Sequence, residues 1–172
     1  MKVDRRTAMK WVLAASAALK APAVSFDVVA AEAVRGYGKD PDLLKVYAAG
    51  DLWPLTFTPE QRAAATALCD LIIPADAESP AASAVGVVDF IDEWISAPYP
   101  EHTNDRQLIV DGLQRLDRES QRYFNAVFAK LSDAQLTTIA AAISEPSSPA
   151  GPFFSRYRAL TAGGFYTTPV GM

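Results

Sequence analysis

Cysteine and histidine are almost missing from this chain of 172 residues, which has one of each, Cys69 and His102. A single cysteine closes no internal disulfide and builds no cysteine-based metal site. Set within Ala67-Leu68-Cys69-Asp70-Leu71, it is expected to pack as a small apolar residue inside a helix. His102 falls in the polar turn Pro100-Glu101-His102-Thr103-Asn104, where solvation is expected rather than catalysis or metal ligation. Also lacking are a Gly-x-Gly-x-x-Gly or Walker phosphate loop, a Gly-x-Ser-x-Gly nucleophile turn and a Cys-x-x-Cys-His haem attachment site. No strand-like alternation of useful length occurs. Without a cofactor motif, or a nucleophile beside its base, the chain is not expected to be a catalyst by itself.

Basic charge is scarce as well: 16 Lys and Arg stand against 20 Asp and Glu. Five of the basic residues lie before residue 34 with three acidic ones, so the remainder carries a net charge of about −6. Binding to phosphate backbones rests on clustered Lys and Arg that release counterions, so nucleic acid is excluded as an expected partner.

What basic charge there is at the start has a pattern. Asp4-Arg5-Arg6-Thr7-Ala8-Met9-Lys10 precedes an apolar stretch from Trp11 to Leu19, and Ala31-Glu32-Ala33 offers small residues for cleavage. This is the layout of an export leader, with Ala33 the favoured cleavage point and Ala31 the second. Paired Arg5 and Arg6, Lys10 beyond them and Lys20 interrupting the apolar middle fit the twin-arginine route, which carries folded cargo to the periplasm. The apolar stretch stops at Lys20 and Pro22, short of the roughly 20 residues that span hydrocarbon. Residues 1–33 are therefore expected to be a twin-arginine signal peptide, 34–57 an irregular arm rich in Gly and Pro, and 58–172 a helical domain.

Within that domain, Thr58-Pro59-Glu60-Gln61 carries a capping box with proline in the first turn, predicting a helix to about Ile73, stopped by Pro74. Ala75 to Ala84 is expected to be a loop. Val87, Val88, Ile91, Trp94 and Ile95 predict a second helix over 85–96, with Asp89, Asp92 and Glu93 on its solvated face. Leu108, Ile109, Leu113 and Leu116 mark a third beyond Asn104. Ser132-Asp133-Ala134-Gln135 opens a fourth, with Leu136, Ile139, Ala140 and Ile143 inward and Pro146 closing it. The last is expected from Phe153 to about Ala162, with Gly163-Gly164 as its left-handed exit and Phe165 to Pro169 as an extended tail. The sum is an all-α fold, a single compact domain of four to six short helices.

Carboxylates and aromatics are the remaining candidates. Asp70 and Asp76 flank the Ile72-Ile73-Pro74 turn, and Asp89 and Asp92 sit three apart on one helix, a spacing open to acid–base work. Capping and solvation are the commoner uses of such residues. Trp94 completes an apolar stripe and is expected in the core. Trp53, Phe165 and Tyr166 belong to segments too rich in Gly and Pro to bury themselves, and exposed aromatics favour partner contacts.

Taken together, Leu55 to Gln61, Asp70 to Asp76, Ser79-Pro80, Ala84 to Asp92 and Phe128 to Ser132 resemble the gluconate 2-dehydrogenase subunit 3 family, over about Leu55 to Pro169. The resemblance implies a small non-catalytic subunit, with no catalytic, cofactor or metal residues of its own. It would accompany an FAD-bearing large subunit of the glucose-methanol-choline type, which oxidises a sugar, sugar acid or glycoside, often with a cytochrome c subunit carrying haem c. In such complexes the small subunit typically carries the twin-arginine leader for both. Family members usually continue past Phe165 to Pro169 with a glycine- and aromatic-rich tail, a departure from this sequence. By resemblance and exposed character, Trp53, Ile73, Pro74, Asp76, Phe165 and Tyr166 are the expected partner contacts. Two alternatives stay open: a periplasmic sugar-binding module stacking on Trp53 and Trp94, and a small hydrolase using Asp70, Asp76 or Asp89.

Overall fold

The computed structural model describes residues 46–145 and 147–172. Contacts divide the chain into Met1–Arg35 and Gly36–Met172, and every described residue belongs to the second unit. The expected leader, with Arg5, Arg6, Lys10 and Ala33, lies outside the described residues, as do positions 34–45 of the arm and Pro146.

Among the described residues the structure is all helical: α1 (Pro59–Ile72), α2 (Val87–Ser96), α3 (Thr103–Phe124), α4 (Asp133–Ser144) and α5 (Gly151–Tyr166). Short 3₁₀ turns at Ala82–Val85, Pro100–His102 and Phe128–Lys130 join them. Both capping boxes form. Thr58 Oγ1 accepts the Gln61 amide at 3.2 Å while Gln61 Oε1 accepts the Thr58 amide at 3.0 Å. Gln135 likewise accepts the amide of Ser132 at 2.9 Å. Each box satisfies amides that a helix start leaves without partners.

Helix α5 is the central element and packs against α1, α2, α3 and α4. Tyr157, Phe128, Leu68, Ile91, Ile95, Ile109, Leu113 and Leu116 fill the core. Gly112 on α3 makes the α3–α5 approach possible, because a Cβ there would lie 2.0 Å from the ring of Phe153. Cys69 is fully buried, as its surroundings in the sequence predict.

Three expectations change. The stretch expected as loop up to Ala84 ends in a 3₁₀ turn, and α2 starts at Val87 rather than Val85. Gly86, at φ +83°, breaks the helical path between the two, a conformation glycine adopts without strain. At the C-terminus, Gly163 and Gly164 are not an exit but part of α5, which begins at Gly151 and runs to Tyr166. Gly164 serves close packing instead, since a Cβ there would meet Phe90 at 2.7 Å. The expected extended tail is accordingly a helix end followed by turns, held by the Thr168 amide on the Phe165 carbonyl and the Gly171 amide on that of Thr168. Third, Asp92 is not on a solvated face. It is 1% exposed, because residues 46–57 fold back over α2 and cover it.

Candidate interaction site

The arm is irregular from residue 46 to 57, and side-chain acceptors on α2 hold it. Asp92 Oδ1 accepts the amides of Thr56 at 2.9 Å and Phe57 at 3.1 Å, and the hydroxyl of Ser96 at 3.3 Å. Thr56 and Ser96 hydroxyls meet at 2.8 Å. Glu93 receives the amide of Gly50, and its carbonyl accepts the indole N–H of Trp53 at 3.2 Å. Asp92 and Glu93 of α2 therefore take three backbone amides and an indole N–H of the arm.

Trp53 packs edge-on to Tyr99, ring centres 6.2 Å apart, and Tyr99 adjoins His102, which packs on Trp94 at 4.4 Å. His102 is not the solvated residue that its polar neighbours suggest. Its Nδ1 lies 2.7 Å from the carbonyl of Trp94, at the end of α2, where carbonyls lack helical partners. Arg106 performs the same service for the carbonyls of Ile95 at 2.5 Å, Ser96 at 3.1 Å and Ala97 at 3.1 Å. Trp94 packs against the core as expected, and its indole N–H donates to Asp105 at 2.8 Å. Arg156 of α5 pairs with Asp105 through both Nε and a terminal nitrogen, and its guanidinium lies 5.8 Å from the Trp94 ring centre. Hydrogen bonding from Arg156, then from Trp94, holds the Asp105 carboxyl below its ordinary range against the opposing effect of burial. The Arg156 guanidinium is correspondingly held above its own.

The carboxylates proposed for acid–base work are engaged in the fold. Asp70 accepts the amide and the hydroxyl of Ser83 at 2.9 and 2.8 Å. Asp76 accepts the amides of Glu78 and Ser79, both at 2.8 Å. Asp89 pairs with Arg62, whose other terminal nitrogen stands 3.7 Å from Asp92. Deeper in, Tyr157 donates to the Ala65 carbonyl at 2.8 Å, and Cys69 Sγ sits 3.3 Å from the Tyr157 oxygen. Burial pushes the Cys69 thiol up and the Tyr157 phenol well up, so both stay protonated and neither is poised as a nucleophile. Among the described residues no group of three His, Cys, Asp or Glu could hold a metal ion. Nor is any described helix long and apolar enough to cross a membrane.

The expected partner contacts separate into two kinds. Pro74, Asp76 and Tyr166 are exposed, Tyr166 by 63%, and Trp53 and Ile73 are half-buried. Phe165 is a correction: it is 4% exposed and belongs to the core, because α5 continues through it. Tyr99, one of the aromatics that the sequence places in a loop, is exposed, whereas exposed Tyr123 and the anchoring role of Asp92 are not apparent from the sequence. No signal short of the fold marks them.

No curated protein and no solved structure matches the chain with significance. A family model described as gluconate 2-dehydrogenase subunit 3 matches residues 59–172, from the first residue of α1 onward, and the chain belongs to that family.

Proposed function

We propose that the chain is the non-catalytic small subunit of an FAD-dependent sugar, sugar-acid or glycoside dehydrogenase of the glucose-methanol-choline type. It supplies the twin-arginine signal through Arg5, Arg6 and Lys10, is cleaved near Ala33, and stays with the folded flavoprotein in the periplasm. FAD belongs to the large subunit, and haem c to a further cytochrome subunit.

Besides the family, the observation that carries this reading is the engagement of Asp70, Asp76, Asp89 and Asp92 in hydrogen bonds or ion pairs of the fold. A hydrolase would keep one carboxylate free of such structural engagement and available to a substrate. A sugar-stacking role is disfavoured too, because Trp94 is flanked by His102, Phe90 and Arg156. Stabilisation of the partner follows from mass action: a subunit that binds only the native flavoprotein at 100 times its Kd raises the stability by about 2.7 kcal/mol.

Deleting the gene for this chain tests the proposal. The flavoprotein is expected to remain in the cytoplasm or be lost to proteolysis, and an Arg5→Lys/Arg6→Lys double variant should retain the complex inside. Active flavoprotein in the periplasm of the deletion strain overturns the reading.

A further inference from the structure

The outward side of α1 is built differently from a solvated helix face. Ala64, Ala65, Leu68 and Cys69 face the core. Beside them, at helical spacing, lie exposed Ala63 and half-buried Ala67, Asp70 and Leu71, with Pro74 just past the helix end; Ala67 and Leu71 pack on the core with one side and line a groove with the other. Two grooves of about 420 Å³ each follow this side. The first, toward the Phe128–Lys130 turn, is floored by Pro59, Ala63, Val127 and Ala129. The second, toward α4, is floored by Ala67, Leu71, Pro74 and Leu136.

Helix α4 extends the same surface. From Ala134 to Ser144 it contains no charged residue, and Ala134, Thr137, Thr138, Ala141 and Ala142 are exposed. A helix that turns one face to water alone ordinarily carries charge there, whereas loss of charge at the centre of a patch marks a protein interface.

The ionisable groups at the rims give the sign of the occupant. Glu60, Asp117 and Lys130 line the first groove, and Asp70 and Asp133 the second. The ion pairs among the described residues join Arg62 to Asp89 and Asp92, Arg115 to Glu119, and Arg156 to Asp105. None neutralises this rim, which therefore holds an excess of negative charge. A second copy of this acidic chain would meet like charge here, which interfaces avoid.

We propose that these two grooves along α1 are the docking surface for the large subunit of the dehydrogenase complex, entered by an apolar segment flanked by Lys or Arg. The inference rests on reading the chain as a bound subunit. It moves the main contact from the arm and the C-terminus to the α1–α4 face, with exposed Pro74 at its edge. Ala63 and Ala67 let the incoming backbone approach, and Leu71 and Leu136 supply the apolar contact.

Titration of the purified large subunit with the full chain tests this, using Ala63→Lys, Ala63→Glu, Thr137→Lys and Thr137→Glu. Both positions are exposed, and thermal melts establish that each variant folds. The Lys variants should weaken binding by about tenfold or more, the Glu variants clearly less, and added salt should weaken the wild-type complex. Asp111→Lys, exposed on α3, should bind like wild type. Wild-type affinity in all four variants, or Lys tolerated better than Glu, overturns this surface while leaving the subunit reading intact. Failure of the wild-type chain to bind removes both. Light scattering that shows a dimer of the chain alone, broken by these substitutions, assigns the face to a second copy and overturns the occupant.

Discussion

The carboxylate of Asp92 accepts the backbone amide of Thr56 at 2.9 Å, a contact between residues 36 apart in the chain. The same oxygen takes the Phe57 amide, so one buried side chain fixes the point at which the arm enters α1. Asp92→Ala leaves two amides without their acceptor and should cost about 3 kcal/mol. Hydrogen exchange distinguishes local from global loss. The amides of Thr56 and Phe57 should lose protection at mild denaturant, whereas those of Leu113 and Leu116 keep theirs. Equal loss at all four positions would mean that Asp92 supports the core and not the arm in particular.

Asp105 predicts the acid limb of stability. Its carboxyl is held low in the fold by Arg156 first and Trp94 second, whereas in the unfolded chain it titrates near the ordinary value of about 3.9. A group with a depressed folded pKa stabilises above its unfolded value, and that stability is lost as pH falls from about 4 through the folded value. Asp105→Asn should cost about 1–2 kcal/mol at pH 7 and flatten the decline below pH 4. Urea midpoints from pH 7 to 3, at unchanged m, measure both effects. A variant with the same acid limb as wild type rules out Asp105 as its source.

The helices with caps and wide apolar stripes were legible in the sequence, because their determinants are local. Thr58 with Gln61, and Ser132 with Gln135, specify their helix starts within four residues, and Val87, Ile91 and Ile95 point inward wherever the partner helix lies. Asp92 reads as solvated in the sequence because α2 alone gives a polar residue beside its stripe, and only the returning arm buries it. Phe165 reads as exposed for a related reason. A Gly-Gly pair can end a helix or admit a neighbour, and the neighbour, Phe90, is 74 positions away by the numbering. The candidate interaction site is legible only in its chemistry: Trp53 and the Ile73 to Asp76 turn can be named, but the groove between α1 and α4, lined by Ala67, Leu71 and Leu136, needs both helices placed in the fold.

On the alkaline side, Tyr157 and Cys69 act in the same direction. Burial raises the phenol well above its ordinary value and raises the thiol as well. Below about pH 8.5, the ordinary thiol value, both contributions are complete. As pH rises the unfolded chain ionises first, so stability falls from that point and more steeply above about pH 10. Tyr157→Phe removes the donor to the Ala65 carbonyl, costing about 1 kcal/mol at pH 7, and should make the loss above pH 10 shallower. Cys69→Ala should instead spare the interval between about pH 8.5 and 10. If the two variants alter the same interval, the groups titrate as one unit and the separation fails.

Adjacent glycines in α5 should respond oppositely to the same methyl group. Gly163 is exposed, and a Cβ there meets nothing within 4 Å. Alanine at this position narrows the unfolded ensemble and favours the helix, so Gly163→Ala should stabilise by about 0.5–1 kcal/mol. Gly164 is buried, and a Cβ there would stand 2.7 Å from Phe90 Cδ1 and 3.3 Å from two further ring atoms. The ring, carried on α2, packs against α5 and stands 6.1 Å from the ring of Trp94, so it must shift to admit the methyl group. Gly164→Ala should therefore destabilise by about 1–3 kcal/mol, the usual cost of overpacking, despite the same gain in helix propensity. Phe90→Leu removes part of the ring and should recover much of that loss when combined with Gly164→Ala, a coupling that independent sites would not show. Thermal melts of the three single variants and the double one decide the matter, because a glycine acting as a helix exit predicts that alanine is unfavourable at Gly163 and indifferent to Phe90.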